Sequence, residues 1–486
     1  MKPSESSVSQ PQLLRSLGFF TMVMLIVGGV IGSGIFRKPG VMAAELGSPS
    51  WLLAVWLIAG VITLFGALTN AEVAAAIPKT GGQFIFFERM YGSFPAFLYG
   101  WSMFSVVQCG SIAALAYVFA EYTEQFIHLP QGPQGMAEWT LPIPLIGSIT
   151  PLKDLGVKGL AAVLIFGLTT ANLYGVRFGG WIQSLTTIAK LSAMVALVAL
   201  VVGSGTWQMD NLTTDSTTIA PSGMLWWLAM AAALQGAFWA YDGWNNASFV
   251  AGEVIEPQRT LPRSLFIGIM LVTCAYMLLN VAYCAVLSID EMATSKLVAS
   301  DVAQKCISGG GRFIAAAVML STFGAANATI LASARIYYAM AERGVFPNMF
   351  AKVHTRYCTP SASLWIQCVW SIALLFSGSF DALTDMLIFV TWIFYTAGAI
   401  GLFVLRWREP DLPRAYRVPI YPWIPLAFIS FASVFLVLTL WNDISNFASS
   451  QAQGQPAALN CGMGTLLVLA GTPIYFLCRN RKKERP

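Results

Sequence analysis

Apolar residues in this chain come in long blocks separated by shorter polar stretches. An α-helix needs about 20 apolar residues to cross roughly 30 Å of hydrocarbon. Twelve blocks reach or approach that length, at about 17–42, 50–77, 93–127, 156–174, 181–203, 224–250, 262–287, 312–341, 361–378, 382–406, 421–441 and 461–479. Apolar positions follow one another inside each block and do not alternate, which predicts helices and not barrel strands. Those are the two forms that satisfy every backbone polar group in lipid. Ahead of the first block the chain reads MKPSESSVSQPQLL, polar, with Pro3 and Pro11 and no small-residue cleavage site. Residues 1–16 are therefore expected to be a tail and not a signal peptide.

Composition agrees with lipid as the solvent. Of 486 residues, 56% are hydrophobic and 10% charged, against about 25% charged in soluble domains. Mean hydropathy is +0.66. The net charge of +5 gives no reason to expect a nucleic-acid partner; what matters is where the cations lie. Placing the N-terminus in the cytoplasm gathers Lys2, Arg15, Lys79, Arg89, Arg177, Arg259, Arg263, Arg343, Lys352, Arg356, Arg406, Arg408, Arg414, Arg417 and the tail RNRKKERP on that side. The opposite loops hold Lys153, Lys158, Lys296, Lys305 and Arg312. The positive-inside rule then puts both termini in the cytoplasm.

Two blocks are interrupted. The first reads MLIVGGVIGSGIF over residues 24–36, with Gly28, Gly29, Gly32 and Gly34 at its middle, where each glycine costs a helix about 1 kcal/mol. The sixth reads GAFWAYDGWNNASF over 236–249 and sets Asp242 beside Gly243. Interrupted helices at matching places in two halves of a chain point to a transporter binding site. An unwound stretch bares N–H and C=O groups that hydrocarbon cannot satisfy, so it must face a wet cavity or a ligand. A half-helix N-terminus offers N–H donors and a positive dipole end to a carboxylate, and bared carbonyls suit an ammonium. A zwitterion meets both demands. The plainer alternative is close packing through small residues.

Other classes fare worse. Haem or metal catalysis needs convergent ligands in the apolar zone, and His128 and His354 fall in expected loops. No cofactor or metal is expected, and the eight cysteines show no framework. A channel would want a repeated filter or a ring of charge. A major-facilitator carrier also has twelve helices, but its first and sixth need not be broken.

With these pieces in place the sequence resembles the amino acid–polyamine–organocation superfamily, and within it the L-type amino acid transporter (LAT) group. The matching segments are VGGVIGSGIF (27–36), AEVAAAIPKTGGQF (71–84), FWAYDGWNNASFVAGEV (238–254), EPQRTLPRSL (256–265), FGAANATILASARIYYAMAERG (323–344) and AYRVPIYPWIPL (415–426). The resemblance implies an all-α membrane protein of twelve transmembrane helices, with two inverted five-helix repeats (LeuT-like) plus two extra helices. Those would be 17–203, 224–406 and 421–479, followed by a basic tail at 480–486. It implies a transporter of L-amino acids by alternating access in a bacterial inner membrane. By the same likeness Gly32, Ser33 and Gly34 would hold the substrate carboxylate on backbone N–H groups. Carbonyls of Ile31, Phe238 and Ala240 would meet the ammonium, Trp239 would cover the substrate, and Asn245 would contact it. Animal members join a glycoprotein heavy chain through a cysteine in the outer loop after helix three; here residues 128–155 contain none, so no disulfide-linked heavy chain is expected.

Charged residues inside the blocks refine the expectation. Lys190 sits mid-block, where a charge costs about 2.5–3.5 kcal/mol or more, so it must face the interior. In LAT-type proteins such a lysine stands where sodium-coupled relatives bind sodium, which implies sodium-independent exchange. It would tie Gly28 to a hydroxyl of the eighth block, Ser321 or Thr322. Asp242 suits either a cationic substrate side chain or the backbone of the break. Glu72 and Arg335 are candidates for an inner gate or for interfacial anchors.

Overall fold

The computed structural model describes residues 17–79, 81–133, 135–143, 147–174, 176–354, 357 and 359–483; for 176–185, 253 and 479–483 it describes the backbone alone. The expected tail at 1–16, Arg356, the side chain of Arg177 and those of the basic tail lie outside the described residues.

Continuous apolar sequence becomes helix, as it must where the backbone has no water to bond. Nine helices among the described residues are long and apolar enough to cross a membrane: Pro49–Ala76, Ser93–Thr123, Leu155–Leu173, Thr186–Ser204, Pro257–Val286, Gly310–Glu342, Phe380–Arg408, Trp423–Ala452 and Asn460–Cys478. Phe19–Val30 and Gly34–Leu46, bent by 43° at their break, make a tenth when taken as one span. Two of the twelve expected spans fall short of this standard. The sixth block is a helix only over Met224–Tyr241 and continues as a 3₁₀ segment, Trp244–Glu253. Gly243, at φ 102°, takes a left-handed turn that an α-helix cannot contain. The ninth block gives Ser361–Leu375, 15 residues, ending just before Ser377–Gly378–Ser379.

Burial separates centre from edge. In the apolar stretch of Ser93–Thr123, 83% of positions are buried, against 33% in Trp423–Ala452 and 28% in Asn460–Cys478. The former threads the middle of the bundle and the last two lie at its rim.

Three short helices escaped the block pattern because they are amphipathic: Gln83–Tyr91, Ile289–Thr294 and Val298–Cys306. The second begins in a capping box, Ser288 with Glu291, a four-residue signal visible in the sequence. The 128–155 region forms a small antiparallel hairpin pairing Leu141 with Ile149, and Ser148 N–H continues it to Ala457 O at 2.8 Å.

Candidate functional site

The first break is a change of direction between two half-helices. Ile31 ends the first half with extended backbone and its N–H still bonds Val27 O. Ser33 caps the second half without using its side chain. The N–H groups of Gly32, Ser33 and Gly34 therefore find no acceptor among the described residues. Ser33 is 1% exposed and its hydroxyl also lacks a partner there. A row of unpaired donors at a helix N-terminus is an anion site in the making.

The second break faces the first. A β-carbon on Gly243 would lie 2.6 Å from Gly29 O, and one on Gly34 would lie 2.6 Å from the Ala240 α-carbon. Glycine at both places lets the two interrupted helices touch backbone to backbone. Asp242 N–H turns to Trp239 O, which leaves Phe238 O without its usual helical donor. Tyr276, buried in Pro257–Val286, sets its hydroxyl 2.9 Å from Ala240 O and 3.2 Å from Val30 O. One phenol thus joins the carbonyl ends of both half-helices. Nothing in the apolar run around Tyr276 marked it; its role depends on contacts far away in sequence.

Lys190 is 2% exposed. Its ammonium donates to Gly28 O at 2.5 Å and Ile31 O at 2.6 Å. Of the three carbonyls expected to meet a substrate ammonium, Ile31 and Ala240 already accept one bond each. A carbonyl has two lone pairs, so both retain one. The expected tie to the eighth block takes another form. Thr322 donates to Val318 O and Met319 O of its own helix, and the Ser321 hydroxyl has no partner among the described residues. Both carbonyls that Lys190 grips belong to the first block.

Side chains around the breaks divide into held and unheld. Asp242 accepts from the Tyr395 hydroxyl at 2.7 Å, and Asn245 accepts from Asn70 at 2.8 Å. Phe238 packs against Trp392, ring centroids 3.9 Å apart and planes tilted by 42°. Trp239 packs edge-on to Phe380 and its buried indole N–H has no partner among the described residues.

Charge clusters close the bundle at each end. At one, Lys38 donates to Asp381 at 2.7 Å and to Thr384 at 2.9 Å, while Arg37 lies 2.7 Å from Glu121. Sequence reasoning missed this group, although adjacent cations inside an apolar block were its signal. At the other end, fully buried Glu72 accepts from Arg406 at 2.8 and 2.7 Å and from Val418 N–H at 2.7 Å, with Arg414 Nε at 3.6 Å. Of the two candidates for an inner gate or for interfacial anchors, Glu72 sits in this cluster, while the Arg335 guanidinium donates to Leu331 O on its own helix.

Residues 17–461 match the amino acid permease family. The serine/threonine exchanger SteT of Bacillus subtilis is 32% identical over 97% of this chain and 98% of its own length. Large neutral amino acids transporter small subunit 2 of Oryctolagus cuniculus is 30% identical over 96% of this chain and 80% of its own. Asc-type amino acid transporter 1 of Homo sapiens is 30% identical over 96% and 82%. With this full-length likeness and its apolar helices, the chain belongs to the amino acid permease family, as a LAT-type, multi-pass membrane member of the amino acid–polyamine–organocation superfamily.

Proposed function

We propose that the protein exchanges neutral L-amino acids without sodium, by alternating access around the paired helix breaks. One observation carries the reading: the N–H groups of Gly32, Ser33 and Gly34, unpaired among the described residues, beside the hydroxyl of buried Ser33, which has no partner there either, a cradle for an α-carboxylate. The carbonyl of Phe238, left without its helical donor, offers the ammonium a partner across the break. Two relatives are named for neutral substrates, which favours small or large neutral amino acids. A fixed ammonium, Lys190, supplies the positive charge that a sodium ion would otherwise bring to the first break.

In this reading the bent pair, the interrupted segment from Met224 to Glu253 and the short Ser361–Leu375 each count as one span, making twelve. Residues 17–203 and 224–406 form two inverted repeats, and 421–479 stand outside them. Both termini lie in the cytoplasm, so the Glu72 cluster is the inner one and the Lys38–Asp381 pair the outer. The protein works without a heavy chain in an inner membrane.

Counterflow into liposomes loaded with a panel of amino acids tests the reading. Uptake of labelled neutral amino acids should survive replacement of sodium by choline and collapse of the pH gradient. Dependence on either gradient would replace exchange with symport, and preference for arginine and lysine would make it a cationic exchanger. In the same assay Asp242→Asn should lower all substrates together, because Tyr395 already holds that carboxylate.

A further inference from the structure

A polar cavity of about 310 Å³ lies apart from the two breaks; no break residue lines it. Its walls are the start of Phe380–Arg408, the end of Trp423–Ala452, the residues ahead of Asn460, and the strand Gly147–Ile149. The backbone bond from Ser148 to Ala457 fastens two of those walls together. Its volume falls at the small end of ligand sites, about 300–1,000 Å³.

The charges on its wall sort themselves. Asp443 accepts from the N–H groups of Asn460 and Cys461 at 3.1 and 2.9 Å, capping the next helix. Lys158 donates to Thr150 O and Pro151 O, and Asp154 accepts from Tyr117 at 2.9 Å. Two opposite charges remain. Among the described residues neither the Asp385 carboxylate nor the Lys153 ammonium makes a hydrogen bond or ion pair, with each other or with anything else. Lys38 acts on Asp385 only through space, its own ammonium being bonded to Asp381 and Thr384. A third group points the same way: Thr439, 2% exposed and lining the cavity, has a hydroxyl without a partner among the described residues. A buried hydroxyl with no bond is costly, and a ligand in the cavity would remove that cost.

We propose that this cavity is a second binding site for a zwitterionic amino acid, its ammonium on Asp385 and Thr439 and its carboxylate on Lys153. The charge layout stands on its own; the choice of probe rests on the proposed transport function. Equilibrium binding of labelled L-serine to the detergent-purified protein should then show two saturable equivalents. Asp385→Asn and Lys153→Gln, the latter on an exposed loop where folding is not at stake, should each weaken one equivalent by about tenfold or more. Gly32→Val should remove the other, and Gly32→Val with Asp385→Asn should bind none. In Gly32→Val, ethanolamine, which lacks the carboxylate, should displace serine poorly; equal displacement would overturn the zwitterion assignment. One equivalent that vanishes in Gly32→Val overturns the second site and leaves the transport reading intact. One equivalent that survives Gly32→Val and falls with Asp385→Asn does the reverse.

Discussion

Gly32→Val should fold like the wild type and fail to hold an amino acid at the central site. A β-carbon at Gly32 would meet only Val30 O, at 3.9 Å, and its backbone does not lie in the left-handed region that excludes side chains. The backbone therefore has room for the valine's β-carbon without strain. The space it fills is the approach to the unpaired N–H row, where a carboxylate must come within about 3 Å of nitrogen. Neighbouring glycines give the contrast. Gly34→Ala and Gly243→Ala each drive a β-carbon to 2.6 Å from backbone atoms, and Gly243 adds a left-handed φ, worth about 1–2 kcal/mol for other residues. Those two should lower the melting temperature in detergent, while Gly32→Val leaves it within a degree or so of wild type and abolishes counterflow. A valine variant that still exchanges would remove the carboxylate from this place.

Lys190→Met should leave exchange at less than about a tenth of wild type, chiefly through the first break. The lysine donates to Gly28 O and Ile31 O, and each buried carbonyl stripped of a donor costs about 1–3 kcal/mol. A factor of ten corresponds to about 1.4 kcal/mol, so one such carbonyl suffices. The loss should be unequal on the two faces. Both gripped carbonyls belong to one arm of one broken helix, and a contact present in only some states shifts the balance among them by what it contributed. Half-saturation measured separately from each side of oriented proteoliposomes decides the matter. Equal shifts, or none, would make Lys190 a buried charge with structural duties only.

Much of this arrangement was legible in the chain, and what was not has a common cause. Four glycines within MLIVGGVIGSGIF and Asp242–Gly243 in the sixth block located both breaks, because an interrupted helix announces itself locally through propensity. Lys190 announced itself through cost, since a mid-membrane cation must have partners. Of those partners Gly28 was foreseen and its carbonyl is gripped. The second was expected on Ser321 or Thr322, but it is Ile31 O, and the Thr322 hydroxyl bonds its own helix. Tyr276, Asp381 and Arg406 meet their counterparts across long sequence separations, and hydropathy, which reports exposure to lipid, says nothing about which helix lies alongside. The hairpin at 141–149 and the amphipathic Gln83–Tyr91 were lost for a related reason: short polar-rich elements leave no mark in a search for apolar length.

The buried carboxylate of Glu72 has a consequence for the order in which this protein is made. Its donors are Arg406, 334 positions later, and Val418, 346 positions later. A ribosome adds roughly 5–20 residues each second, so the acid waits about 20–70 s for its first counter-charge. During that interval the second helix is complete and the end that carries Glu72 is not yet stable in its final setting. A nascent chain released before residue 406 never acquires any of the three partners, whereas one released after 418 has all of them. Pulse-chase of truncations ending on either side of this interval should find long-lived protein only beyond it, making the strand of chain from 406 to 418 the step that commits the first half of the molecule to the membrane.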